Sequence, residues 1–258
     1  MKYLKSLTIL LAGVMVFSSC QDLSLPDAQI TSAVRYGKVL FINASPDAPS
    51  LVYQVNNTQI ASLGPQVTSG YLSINPSSEQ FRIKNAVYGV VGTDTTALSG
   101  DLVTQSTVAG NGTYTLFVTD TIHRPFGKNA AFSSNKGGLS LIGPVADNLA
   151  IASSSAGIRF YNLAPGAAAV YLSNNGVTLG SAISKSIAYK STTGTSFSLI
   201  TPGTYNLQVS TGSITGTVLT SQPSITLQPG KVYTVFLTGK VVNSVVKVPY
   251  ALNVVQHN

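Results

Sequence analysis

Along most of the chain, apolar and polar residues alternate. In "TYNLQVS", Tyr205, Leu207 and Val209 fall on one face and Asn206, Gln208 and Ser210 on the other. "FRIK" sets Phe81 and Ile83 against Arg82 and Lys84, and "TYTLFVTD" sets Tyr114, Leu116 and Val118 against Thr115, Phe117 and Thr119. A period of two is the mark of a strand with one dry face and one wet face. Such runs recur about every 10 to 15 residues, separated by the turn-formers "NPSS", "GNG", "TPG" and "QPG", and nothing beyond the first twenty residues carries a sustained helical stripe. The pattern predicts an all-β chain built from antiparallel sandwiches of about seven strands each.

The runs also repeat. "VLFINASPDAPSLVYQVNN" (39–57) aligns with "IRFYNLAPGAAAVYLSNN" (158–175), pairing Phe41 with Phe160, Asn43 with Asn162, Pro46 with Pro165 and, after a one-residue deletion, Tyr53 with Tyr171. "NGTYTLFVTD" (111–120) aligns with "GKVYTVFLTG" (230–239), placing Tyr114 on Tyr233 and Phe117 on Phe236. The offset is 119 residues in this pair and 118 to 119 in the first, too long for a solenoid repeat and suited to a duplicated domain. Two tandem Ig-like antiparallel β-sandwich domains are therefore expected, at 36–147 and 148–258, with a joint in the small-residue stretch "NLAIASSSAG". The segment 122–138 reads as a long excursion within the first.

The beginning of the chain is different. Lys2 and Lys5 precede an apolar run from Leu7 to Phe17 and then small residues up to Cys20. That run is well short of the ~20 residues a membrane-spanning helix needs, so 1–19 reads as a signal peptide. "FSSC" resembles the lipobox of bacterial lipoproteins, with Phe17 where Leu is usual, and this resemblance implies lipidation of Cys20. Cys20 is the single cysteine, so it has no disulfide partner within the chain. Residues 20–35 carry Asp22, Pro26 and Asp27 without periodicity and read as a lipid-anchored tether. The expected localisation is export to the cell envelope, on the outer membrane.

Composition narrows the function. The chain is 44% hydrophobic and only 9% charged, so its polar surface is made of Ser, Thr, Asn, Gln and Gly. Without Lys2 and Lys5, thirteen Lys and Arg stand against eight Asp and Glu, a net charge of +5. The cations are scattered singly, at Lys38, Arg82, Lys84, Arg159 and Lys231 among others, which argues against nucleic acid as a partner. His123 and His257 are the only histidines, and no metal-ligand spacing joins them to Cys20. Asp120 and His123 in "DTIHRP" lack the strained nucleophile turn that a triad needs. Neither a catalytic constellation nor a cofactor site is expected, and the chain is read as a non-enzyme. Twelve tyrosines raise the question of sugar stacking. Tyr36, Tyr88, Tyr161, Tyr189 and Tyr250 have no aromatic counterpart in the other copy and are the candidate surface contacts. "DTT" (94–96) and "DTI" (120–122) resemble a short O-glycosylation acceptor of some Gram-negative lineages.

"ASPDAPS" interrupts two apolar runs, and Asp47 within it is replaced by Gly166 in the second copy, as befits a turn rather than a catalytic carboxylate. "NASPDAPSLVYQVNN" together with "YTLFVTD" resembles the DUF4397 domain, a family of exported bacterial domains, in two copies of which the second is degenerate. The resemblance implies β-sandwiches in the envelope and supplies neither a reaction nor functional residues. The resulting expectation is a non-catalytic envelope lipoprotein that binds a glycan or an envelope protein. A structural subunit or spacer of a surface assembly is the alternative, and a glycan-active enzyme using Asp94 and Asp101 is the third reading.

Overall fold

The computed structural model describes residues 35–48, 50–85, 101–121, 139–192, 196–239 and 248–257. The compact unit from Arg35 onward is all-β. Its first half holds β1 (Gly37–Asn43), β2 (Leu51–Val55), β3 (Thr58–Leu63), β4 (Val67–Ile74), β5 (Ser78–Asn85), β6 (Leu102–Thr107), β7 (Thr113–Thr119) and β8 (Ser140–Ala146). The second half holds β9 (Ala156–Asn162), β10 (Val170–Asn174), β11 (Ser198–Ile200), β12 (Gly203–Thr211), β13 (Thr217–Leu227), β14 (Val232–Thr238) and β15 (Ala251–His257). Among the described residues, no helix is long and apolar enough to cross a membrane.

Each half is a two-sheet sandwich. In the first, an outer sheet ordered β3-β2-β5-β6 faces an inner sheet ordered β4-β1-β7-β8; in the second, an outer sheet β10-β12-β13 faces an inner sheet β11-β9-β14-β15. Alternate residues fill each core. Phe41, Leu116 and Val118 from the inner sheet meet Tyr53, Phe81 and Ile83 from the outer one, and Phe160, Val235 and Leu237 meet Leu172, Leu207 and Val209 in the second half. One ladder in each sandwich departs from the antiparallel expectation, since β1 pairs with β7, and β9 with β14, in parallel. The reason is connectivity. Hairpins force antiparallel neighbours, but β7 and β14 enter their inner sheets by crossing over from β6 and β13 in the outer ones.

A second correction concerns the wet face expected on β7. Leu40, Ile42, Phe117 and Ile142 from the inner sheet of the first sandwich form a third apolar cluster with Tyr161, Leu163 and Phe236 of the second. The two inner sheets therefore pack on each other, giving a four-layer body. Strands in these central layers are covered on both faces, and every residue of β9 and of β14 is buried. Sheets covered on both sides lose the alternating pattern, as the unbroken run "VLFI" in β1 does.

Register also revises the alignment. Tyr53 lies opposite Ile83, whereas the core-facing residue opposite Val209 is Leu172; Tyr171 pairs with Ser210 and is only half-buried. Leu172, not Tyr171, holds the place of Tyr53, and the 119-residue offset runs on without a deletion. The turns agree: Asn56 and Asn57 have φ of 47° and 67°, and Asn175 and Gly176 have 48° and 79°, the left-handed pairs that close tight hairpins.

Candidate functional site

The Pro-Asp stretch is a corner. The Asn43 side-chain amide donates to the carbonyls of Leu63 and Gly64 while its Oδ1 accepts from the Ser45 N–H. Asn162 repeats this, donating to Ala168 and Ile187 and accepting from the Ala164 N–H. Ser45 continues the corner, its Oγ accepting the Ala48 N–H at 3.1 Å and donating to Asp47 Oδ1 at 3.2 Å. The matched tyrosines have an equally repeated task. Tyr114 Oη accepts the N–H of Ala109, and Tyr233 Oη accepts that of Gln228, each five residues upstream, an arrangement of the tyrosine-corner kind.

Two groups of ionisable side chains lie between the sandwiches. Arg159, 3% exposed, sits mid-strand in β9, donates to Asp147 and to the Ala146 carbonyl, and stacks its guanidinium 4.3 Å from the centre of the Phe197 ring. Asp147 also accepts from Thr115 Oγ1 at 2.8 Å and Tyr71 Oη at 2.7 Å. His257, 1% exposed, places Nδ1 2.5 Å from Tyr71 Oη and Nε2 2.6 Å from Thr234 Oγ1, which accepts Arg159 Nε at 2.7 Å.

Counting protons assigns this ring of bonds. Tyr71 spends its single proton on Asp147, so His257 Nδ1–H must donate to Tyr71, leaving Nε2 to accept from Thr234. A neutral imidazole satisfies every member. Burial accordingly lowers the His257 pKa to about 4, with the Arg159 cation acting in the same direction and Asp147 opposing both. Burial and the Asp147 carboxylate push the Tyr71 hydroxyl upward.

At the other end of the same interface, Lys190 Nζ reaches Asp120 Oδ2 at 2.9 Å and Ser140 Oγ at 3.1 Å, and Thr119 Oγ1 donates to the Leu163 carbonyl at 2.8 Å. Two polar clamps thus bracket an apolar centre where Phe117 lies 5.0 Å from Tyr161 and 6.0 Å from Phe236, ring centre to ring centre.

The sequence-derived candidates scatter over this frame. Tyr161 is 2% exposed inside the interface, so it is not a surface contact; the sheet of the other sandwich covers the face of β9 from which it projects. Tyr36 is 51% exposed. Tyr189 is half-buried beneath Lys190, whose Nζ is 5.1 Å from its ring centre, and Tyr250 is half-buried against the second core. Cys20, Tyr88, Asp94 and His123 lie outside the described residues, and so does the "DTT" stretch. Asp101 pairs with Arg82 at 2.8 Å. Thr121 of "DTI" is 2% exposed, which closes it to a modifying enzyme in the folded chain.

Sequence reasoning placed a joint between the copies but missed the packed interface across it, and missed one groove. The signal for the interface was present: Arg159 interrupts the apolar run "AGIRFYN", and an uncompensated charge at such a place requires a buried partner. The groove, about 510 Å³, opens at the end of the second sandwich between Asn174, Thr178, Leu199, Thr201 and Tyr205. Nothing in the spacing of these residues announces it. Among the described residues, no group of three His, Cys, Asp or Glu could hold a metal ion.

Fold and site together define a tandem β-sandwich protein in which the Asp147–Arg159 and Asp120–Lys190 ion pairs tie one sandwich to the other. The profile described as "Domain of unknown function (DUF4397)" matches residues 37–173 and again 156–253, and the chain belongs to that family. The overlap, 156–173, is the stretch of β9 and β10 in which the second copy restates the opening motif. No curated relative matches the sequence. The crystal structure of a Bacteroides fragilis protein described as a "putative cell adhesion protein" is similar at 12% identity over 82% of this chain and 84% of that one, with a TM-score of 0.21, a value too low to bear on function.

Proposed function

We propose that the protein is a non-catalytic binding module of the cell envelope, exported through the signal at 1–19, anchored by lipid on Cys20 to the outer membrane, and presenting its paired sandwiches to a glycan or an envelope protein. One observation carries the reading. Among the described residues, the three buried acids are engaged in holding the fold: Glu79 accepts from Asn56 and Ser77, Asp120 from Lys190, and Asp147 from Arg159. Hydroxyls and amides are left to dominate what the outer surface can offer a partner.

The test uses the full chain in cells. Palmitate labelling should follow Cys20 and vanish in Cys20→Ala, and crosslinking on intact cells should retrieve a glycan or envelope protein with the tagged chain. A protein that takes up no lipid label and crosslinks to nothing defeats the reading. The clamped joint also suits a rigid spacer in a surface assembly, and native mass spectrometry separates the two. A spacer travels in fixed stoichiometry with other subunits; a binding module is released alone.

A further inference from the structure

The duplication supplies an internal control for the groove. Register equates Val55 with Asn174 and Phe81 with Leu207, and Asn56 and Asn175 each donate their N–H to the carbonyl of the next residue back, Gln80 and Asn206. Glu79 therefore corresponds to Tyr205, and by the pairing of β4 and β11 with their neighbours Ile74 corresponds to Ile200. In the first sandwich Val55, Ile74 and Glu79 are all buried, and Glu79 is tied down by Asn56 and Ser77, so this end of the core is shut. In the second, Asn174, Ile200 and Tyr205 are only half-buried. Here β10 has no counterpart of β3 beside it: a turn-rich segment occupies the chain between Val177 and Ile187, touching β10 through two isolated bridges. The same plan is closed in one copy and open in the other.

Resting on the binding role proposed above, we infer that this groove is a saccharide site for a neutral mono- or disaccharide. Its lining carries hydroxyls and amides from Ser154, Asn174, Thr178 and Thr201 beside apolar surface from Leu199 and the Tyr205 ring, and no ionised side chain. With no ionised side chain to pair with a charge, the groove suits an uncharged ligand that offers hydroxyls to its polar lining and a C–H face to the Tyr205 ring, as a pyranose does. Its volume of about 510 Å³ lies within the ~300–1,000 Å³ usual for small-ligand sites. Tyr205 is fixed in place, its Oη donating to the Thr201 carbonyl, and Asn174 Oδ1 is held by the Asn206 N–H at 2.9 Å. That leaves the Asn174 amide hydrogens for a ligand. A peptide fits less well, since the two strand edges at the groove are short: β11 has three residues, and β10 has five and is already bridged at Val170 and Asn174.

The probes are diacetylchitobiose, cellobiose, maltose and lactose, with digalacturonate as the charged comparison, added to the full chain in a detergent without a sugar headgroup. Saturation-transfer NMR and calorimetry read binding. At least one neutral disaccharide should bind and digalacturonate should not. Leu199→Arg, at a side chain 60% exposed, should weaken that binding at least about tenfold without unfolding the protein. Ser73→Arg, at the corresponding exposed position of the first sandwich, should leave it unchanged. If a disaccharide binds equally to Leu199→Arg, the groove is not its site, although the binding role stands. If none of the neutral probes binds, the saccharide assignment falls, and the crosslinking described above decides the binding role independently.

Discussion

Acidification should loosen the joint through His257. The imidazole is neutral in the folded chain because burial lowers its pKa to about 4 from an ordinary 6.5, so the unfolded chain takes up a proton that the folded one refuses. Stability is then complete above pH 6.5, falls as the pH drops toward 4, and levels off below it. A tenfold change in proton affinity is worth about 1.4 kcal/mol, so the total loss through this one group is roughly 3 kcal/mol. The structural cause is specific. A protonated ring would turn Nε2 into a donor toward Thr234 Oγ1, which already accepts from Arg159 and would lose the acceptor for its own proton. Urea unfolding at steps from pH 8 to pH 4, read by circular dichroism, should give the native chain a steeper decline than His257→Gln, whose amide does not titrate. The difference between the two curves, rather than either alone, removes the contribution of the carboxylates. Superimposed curves would refute the assignment. A native chain that gains stability relative to the variant on acidification would do so more sharply, because it would mean that His257 acts as a cation for Asp147, 3.7 Å away.

Four substitutions test the packing by thermal or denaturant unfolding. Phe117→Ala empties the centre of the interface and should cost about 3–5 kcal/mol. Two tyrosines should respond with opposite sign: Tyr233→Phe deprives the Gln228 N–H of its acceptor and should lower stability by about 1 kcal/mol, whereas Tyr53→Phe removes a buried hydroxyl with no protein partner and should leave stability equal or higher. Gly143→Ala, at φ 103° and with its new Cβ 2.7 Å from the Thr115 carbonyl oxygen, should destabilise by about 2 kcal/mol or more.

The outer sheets were plain in the sequence because one of their faces meets water. Phe81 and Ile83 are buried and Lys84 is exposed, as alternation requires, and Leu207 and Val209 behave likewise. The inner sheets were harder to read. Thr115 and Thr119 look like solvent-facing residues of β7, yet both are fully buried, because a hydroxyl that donates to Asp147 or to the Leu163 carbonyl can be covered at little cost. The repeat was legible from Asn43 and Asn162, whose chemistry at the corner is identical. Its register was not, since matching Tyr53 to Tyr171 by identity overrode the alternation that places Leu172 in the core. The groove was invisible for a physical reason: it results from a strand pairing that the second copy does not make, and a missing pairing leaves no motif.

The joint has a handedness of chemistry that bears on how chains of this kind assemble. By register, Leu40 and Arg159 hold corresponding positions in the two copies, as do Tyr71 and Phe197, and Asp147 and His257. Two first copies brought together from different molecules would set carboxylate against carboxylate with no guanidinium between them. Two second copies would confront a pair of arginines with nothing anionic to meet. Divergence between the copies has thus left each half matched in charge to the other half of its own chain and mismatched to a second copy of itself.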